Sequence, residues 1–155
     1  MSHFDEKGEI HMVDVTKKAD TERFAWAQGV VCLNKETFLK VKKGEIKKGE
    51  VFTTAKVSGI IAAKKTWELI PLCHPLNITF IDILFTFDEE KSSIIVKSFV
   101  KLMGRTGVEM EALTAVTMAC LTIYDMCKSY DKGIQINSIY LLEKSGGKSG
   151  HYKRI

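Results

Sequence analysis

The stretch from Ala112 to Met126 is almost unbroken in apolar and small residues, and it limits what this chain can fold into more than any other. Leu113, Val116, Cys120, Ile123 and Cys127 recur at steps of three and four, the period of a helix. Ala112, Ala115, Ala119 and Met126 widen that stripe. A helix that is apolar on most sides has to be buried, so the spacing predicts a central core helix with the rest of the chain arranged around it. Polar residues gather at its ends. Glu109 and Glu111 follow Gly107 at the start, where the positive end of the helix dipole favours carboxylates. Asp125 lies near the opposite, less favourable end, three residues before Lys128, so the two share a face. An i,i+3 ion pair at a helix end fits this pattern, and so does a carboxylate and an ammonium held together at the edge of a site.

The other elements follow in order. Met1 to about residue 10 reads as a flexible tail, and Met12–Thr16 as a short strand or extended segment. Lys17–Arg23 is a polar connector. Phe24–Leu33 reads as a strand, and Asn34 as the N-cap of a short helix that ends by Gly44. Thr53 or Thr54 starts a second helix running to about Leu69, with Val57, Ile60, Ile61 and Trp67 as its buried stripe and Lys56, Lys64 and Lys65 on its wet face. Gly59 within it points to close packing against another backbone. Thr79–Phe87 and Ile94–Leu102 alternate as a hairpin across a charged turn, and Ile134–Leu142 forms the last strand. The order of strand, helices, strand, strand, helix, strand predicts an α+β fold: a ferredoxin-like antiparallel sheet with helices packed on one face. With 155 residues and no linker or repeat, the expectation is one domain with a glycine-rich basic C-terminal tail.

Composition narrows the class. Hydrophobic residues make up 45% and charged residues 27%, ordinary for a soluble protein. No membrane span and no secretory signal are read, and the four cysteines, none in a C-x-x-C pair, are expected to be reduced thiols of a cytoplasmic protein. The charge of +4 is modest, but its lysines cluster in glycine-bearing loops, which suits a small polyphosphate ligand or nucleic acid. For nucleic acid, Ser98–Leu102 lacks the glycine and paired aromatics of an RNP1 strand.

Several catalytic motifs are missing. Gly147-Lys148-Ser149 lacks the earlier glycine and the following helix of a P-loop, and no H-E-x-x-H or G-x-G-x-x-G after a strand occurs. Pro71 and Pro75 stiffen the loop Leu72-Cys73-His74, which can present one imidazole or merely connect helix to strand. What remains is a looser constellation of Lys48, His74, Glu109, Glu111, Asp125, Lys128 and Lys144, at element ends and in glycine- or proline-framed loops. Carboxylates and lysines brought together can act as acid and base, and glycine-flanked lysines can hold phosphates.

Long runs in this order resemble the molybdenum cofactor biosynthesis protein C family, whose members are called cyclic pyranopterin monophosphate synthases. The runs are Met12–Val15, Lys48–Phe52, Leu69–Leu76, Thr106–Thr114, Leu121–Lys128 and Lys144–Gly150. The resemblance covers about Met12 to Lys153 and implies the following. A radical SAM GTP 3′,8-cyclase supplies 3′,8-cyclo-7,8-dihydro-GTP, and this chain converts it to cyclic pyranopterin monophosphate with release of pyrophosphate. Asp125 matches the catalytic aspartate, Lys128 its partner lysine, and Lys48 an essential lysine. Leu72, Cys73 and His74 match one substrate-binding segment and Met110 and Glu111 another, while Glu109, Lys144 and Arg23 match further site positions. Lys48, Lys144 and Arg23 are then expected to hold phosphates, Lys128 to handle protons with Asp125 setting its charge, and His74, Glu109 and Glu111 to orient the base or sugar. Family members form homohexamers, trimers of dimers with sites at the dimer interface, without a metal or organic cofactor. His151 stands where the resemblance implies an acidic residue. A non-catalytic partner of the radical enzyme is the competing reading, and it would leave Lys48 and Lys128 dispensable.

Overall fold

Alternating burial sets the strands. In β1, Thr21–Cys32, every second residue from Arg23 to Val31 is buried, and in β3, Ser93–Gly104, Ile94, Val96, Ser98, Val100 and Leu102 share one inward face. With β2 (Phe80–Asp88), β4 (Gln135–Ser145) and the two-residue β5 (Tyr152–Lys153) they form one antiparallel sheet of order β2-β3-β1-β4-β5. The computed structural model describes residues 3–4, 6–148 and 150–155. Among these residues four helices complete an α+β fold: α1 (Lys35–Lys43), α2 (Val51–Lys64), α3 (Thr66–Leu69) and α4 (Glu109–Cys127).

The predicted core helix is α4. Ala112, Ala115, Val116, Ala119, Cys120, Ile123 and Cys127 are fully buried against β1, β3 and β4. Two close approaches seat it. Ser98 Oγ donates to the Ala112 carbonyl at 2.7 Å, and Gly29 of β1 leaves only enough room for the Cys120 sulfur, which would lie 2.8 Å from an added Cβ. By length and composition alone α4 could cross a membrane, contrary to the sequence reading, but half of its most apolar stretch is buried inside the protein, as befits a core helix. The capping of α1 follows the sequence: the Asn34 side chain accepts from Thr37 N at 2.8 Å, and Gly44 closes the helix at φ 71°.

The second helix departs from expectation. It starts at Val51 with Glu50 as N-cap, stops at Lys64, and is followed by the separate turn α3. Its buried face is Val51, Ala55, Gly59, Ala62 and Ala63, whereas Val57, Ile61 and Trp67 are about half exposed. Small residues win the inward face because α2 packs directly on α4, backbone to backbone. A Cβ on Gly59 would stand 2.8 Å from the Ala115 carbonyl and 2.2 Å from Ile83 Cδ1. The carbonyl cannot swing away as a side chain can. Gly59→Ala is therefore expected to destabilise the fold by about 1–3 kcal/mol in urea melts, while the same change at exposed Gly44 or Gly49 acts only through backbone conformation.

At the chain ends, Phe4 and Ile10 form an isolated bridge inside the segment read as a loose tail, and residues 1, 2 and 5 of that segment lie outside those described. The basic tail returns to the sheet as β5. Arg154 N donates to the Leu142 carbonyl at 2.8 Å, and His151 Nε2 lies 2.7 Å from Glu143 Oε1. The tail motif read at 144–150 includes Ser149, which is not among the described residues.

Candidate active site

The site residues fall into two groups, one at each end of α4. At its C-terminal end the Asp125 carboxylate lies between two ammonium groups: Lys128 Nζ is 2.7 Å from Oδ1 and Lys48 Nζ is 3.2 Å from Oδ2. Lys48 also donates to the Asp125 carbonyl at 2.7 Å, satisfying one of the last carbonyls of the helix. It reaches there from a turn made by Gly49 at φ 113°, and the neighbouring Lys47 amide donates to Tyr130 Oη at 3.0 Å. The two cations thus compensate a carboxylate at the unfavourable end of the dipole. The hydrogen bond from Lys128, then that from Lys48, holds Asp125 below the usual carboxylate range, and the same bond raises Lys128. At neutral pH the pair is an ionised carboxylate and a protonated ammonium. In that state Lys128 can donate a proton but cannot accept one.

At the N-terminal end, Lys144 Nζ is 3.1 Å from Glu109 Oε1, and both side chains are largely buried. Gly107 makes room for that carboxylate, since a Cβ there would fall 1.9 Å from Glu109 Oε2. Glu111 is almost fully buried. Burial, and secondarily the charge of Glu109, pushes its carboxyl up to about 7, while its own amide pulls the other way. A cavity of about 310 Å³ opens here, lined by Leu72, Cys73, His74, Glu109, Met110 and Glu111 among others. The proline-framed loop places its imidazole on the wall of this cavity: His74 Nε2 donates to the Val13 carbonyl at 2.8 Å, which leaves Nδ1 as the acceptor in the neutral ring. Burial, then the charge of Glu111, raises the Cys73 thiol, so it is a poor nucleophile.

Glu111 makes stability depend on pH. Its folded-state value lies above the ordinary 4.5, so between 4.5 and about 7 the folded chain keeps a proton that the unfolded chain has lost. Stability should fall as pH rises through that window, by an upper figure of about 3 kcal/mol. Urea melts of Glu111→Gln should show that slope flattened, and an unchanged slope would refute the assignment.

Arg23 is buried in β1, and its Nε and Nη2 donate to the carbonyls of Gly104 and Arg105 at 3.0 and 3.2 Å. The glycine tail packs on it: a Cβ on Gly147 would lie 2.1 Å from Arg23 Nη1, and Gly147 sits at φ 73°. Arg23 and Gly147 line a second, larger cavity of about 830 Å³ with Lys17, Lys18, Thr21 and Lys148. Asp14 also lines it, and there the hydroxyl oxygen of Thr21 is buried without a hydrogen-bond partner among the described residues. Lys18 borders both cavities. The sequence reading passed over Lys17, Lys18 and Thr21 as a connector. The signal was present as a lysine pair directly after the Met12–Thr16 motif.

The two groups do not meet within one chain. Glu109 and Asp125 are sixteen residues apart on one helix, about 24 Å at ~1.5 Å per residue. Among the described residues no cluster of three or more His, Cys, Asp or Glu side chains is arranged to hold a metal ion.

Comparison with known proteins places this architecture. A family model described as MoaC family matches residues 12–147. Proteins named cyclic pyranopterin monophosphate synthase are similar over 99% of this chain: that of Heliobacterium modesticaldum is 56% identical with 97% of its own length covered, and that of Syntrophomonas wolfei 54% identical with 98% covered. The protein of that name from Listeria innocua is 53% identical, with 95% of its length covered.

Proposed function

The chain belongs to the MoaC family, and we propose that it is a cyclic pyranopterin monophosphate synthase, a lyase of molybdenum cofactor biosynthesis. It converts 3′,8-cyclo-7,8-dihydro-GTP, supplied by a radical SAM GTP 3′,8-cyclase, to cyclic pyranopterin monophosphate and pyrophosphate. The observation that carries the reading is the Asp125 carboxylate held between Lys48 and Lys128. The reaction opens and rebuilds rings and closes a cyclic phosphate. Closure forms a phosphorus–oxygen bond from a hydroxyl and breaks the bond to the departing pyrophosphate. The hydroxyl proton needs an acceptor, and the leaving group needs cations. A protonated Lys128 can deliver a proton during ring opening, and its neutral form can take one back, with Asp125 stabilising the charged form. Lys48 supplies fixed positive charge beside it.

The N-terminal end of α4 suits the rest of the substrate. The smaller cavity, with His74, Glu109 and Glu111, accepts a hydrogen-bonding heterocycle, and a half-protonated Glu111 can either donate or accept there. The adjoining cavity, with Lys17, Lys18, Arg23 and Lys148 around Asp14, accepts the triphosphate. Lys144, paired with Glu109, stands on the heterocycle side. Proton transfer requires heavy atoms within about 3 Å, so groups some 24 Å apart cannot serve one reacting centre in a single chain. The complete site then combines the C-terminal end of one α4 with the N-terminal end of a second copy's. The exposed apolar residues Val57, Ile61 and Leu121 on α2 and α4 support association of this kind. A homohexamer built as a trimer of dimers contains that arrangement, and the strand order β4-β1-β3-β2 within the sheet supports a ferredoxin-like fold. Each chain is one cytoplasmic domain, acting on a small molecule without nucleic acid, membrane, metal or organic cofactor.

The test is turnover of the cyclised GTP intermediate by the purified protein, with pyrophosphate and the fluorescent oxidised pterin both followed. Equal yields of the two are expected. A folded protein that releases neither would overturn the reading and favour a non-catalytic partner of the cyclase.

A further inference from the structure

The cavity that holds His74, Glu109 and Glu111 has a second imidazole on its wall, His3, from the N-terminal segment. His3 lies before the residues matched by the family model, which begin at 12. It is nevertheless held in place from both its backbone and its ring. The His11 amide donates to the His3 carbonyl at 2.8 Å, and His3 Nδ1 lies 3.2 Å from the His11 carbonyl. The bridge between Phe4 and Ile10 closes the same turn, with Gly8 at φ 80°.

These contacts fix chemistry as well as position. A carbonyl oxygen only accepts, so His3 Nδ1 must carry the proton and Nε2 holds the lone pair of the neutral ring. His74 is set the opposite way by the Val13 carbonyl, with Nε2 protonated and Nδ1 bearing the lone pair. One short stretch, His11 to Val13, therefore sets the tautomers of two rings that line one cavity. Val13 lines it too, so this stretch reaches the cavity wall itself. The other ionisable groups on that wall are Lys18, Cys73, Glu109 and Glu111. Lys18 only donates, so the two imidazoles, with the Thr106 hydroxyl and the protonated form of Glu111, are the neutral side chains able to accept from a ring N–H, and of these only the imidazoles are also bases strong enough to take its proton near neutral pH.

We propose that His3 is a substrate-contacting residue of this site, accepting a hydrogen bond or a proton through Nε2 from the nitrogen heterocycle that fills the cavity. The proposal rests on the synthase reading. It makes the N-terminal segment part of the binding wall and gives the heterocycle a second imidazole.

The experiment uses the full-length chain and the cyclised GTP intermediate, with His3→Ala, His3→Asn and His3→Gln compared. His3 is exposed, so the variants should melt with the wild type. The asparagine amide can reproduce the Nδ1 contact to His11 but offers nothing at the Nε2 position, whereas glutamine places an amide oxygen or nitrogen there. Alanine and asparagine should lower kcat/KM by about 10–100-fold, glutamine should recover part of the loss, and free imidazole should partly restore the alanine variant. An asparagine variant equal to the wild type would show that the ring only pins the turn and would overturn the proposal. Wild-type turnover with all three variants unaffected would do the same while leaving the synthase reading intact. No turnover by folded wild type would overturn the synthase reading first, and this proposal with it.

Discussion

Lys128→Ala should lower turnover of the cyclised intermediate by about 10²–10⁴-fold, the range that a positioned acid–base group contributes, and leave the melting temperature almost unchanged. The two halves of this expectation come from the same geometry. Lys128 and Asp125 are both more than half exposed, so their 2.7 Å ion pair contributes little to stability. Its loss is not a folding defect. For chemistry the exposure means access: the ammonium stands at a surface where a second chain and a substrate can meet it. The hydrogen bond that Lys128 donates to Asp125 raises Lys128 and keeps it protonated. Asp125→Asn should therefore keep the fold and the lysine but make Lys128 easier to deprotonate. The limb of the kcat–pH profile that reports loss of this proton should then move to lower pH. Lys128→Arg separates two roles. A guanidinium keeps the charge beside Asp125 but does not exchange protons near neutral pH. If Arg restores activity, Lys128 acts as fixed charge and the proton-donor role is wrong. If only Lys does, the proton is the point. Wild-type kcat in Lys128→Ala would remove the residue from the chemistry altogether.

How far the sequence reached depends on what kind of information each feature carries. The core helix was legible because apolar residues at steps of three and four leave few alternatives, and its stripe of Val116, Cys120, Ile123 and Cys127 is buried in the structure. The cap at Asn34 and the stop at Gly44 were legible because each acts locally, through one side chain or one φ value. The second helix was misread for a reason the pattern alone cannot supply. Val57, Ile61 and Trp67 are the larger apolar residues, and hydrophobicity favours them for the core. Beyond Val51 at its start, the helix instead buries alanines and Gly59, because close backbone contact around Gly59 admits nothing larger there. The large residues are left about half exposed, and an apolar pattern alone does not distinguish an exposed apolar face from a core. The same limit applies to the site. Asp125, Lys128 and Lys48 were named, and the structure brings them together. Glu109 and Lys144 were named and also meet. The 19-residue helix between the two groups keeps them apart within one chain, and a pattern of residue types carries no such distance. Lys17, Lys18 and His3 were passed over because a polar connector and a chain terminus carry no periodicity, so only tertiary contacts show that they border cavities.

That helix length leads to the most discriminating result expected of this protein. Lys128→Ala and Lys144→Ala, each nearly inactive alone, should regain activity when their subunits are mixed. Lys128 lies at one end of α4, whereas Lys144 is joined to Glu109 at the other, about 24 Å away. If each active site takes its Lys128 end from one chain and its Lys144 end from the next, a mixed dimer has one site carrying both defects and one carrying neither. Random pairing makes half of the dimers mixed, so about one quarter of all sites are intact and the mixture should recover about a quarter of wild-type activity. Both variants should be coexpressed with different tags, mixing confirmed by capture through both tags, and the unfractionated pool assayed for pyrophosphate release. Asp125→Ala mixed with Lys128→Ala is the control. Both defects then lie at the same end of the helix, every site in a mixed dimer lacks one partner of the couple, and no recovery should appear. Sites contained within single chains predict no recovery from either mixture. In that case Lys128 and Lys144 would have to act at separate places on one molecule, and the acid–base couple at the end of α4 would need a substrate of its own.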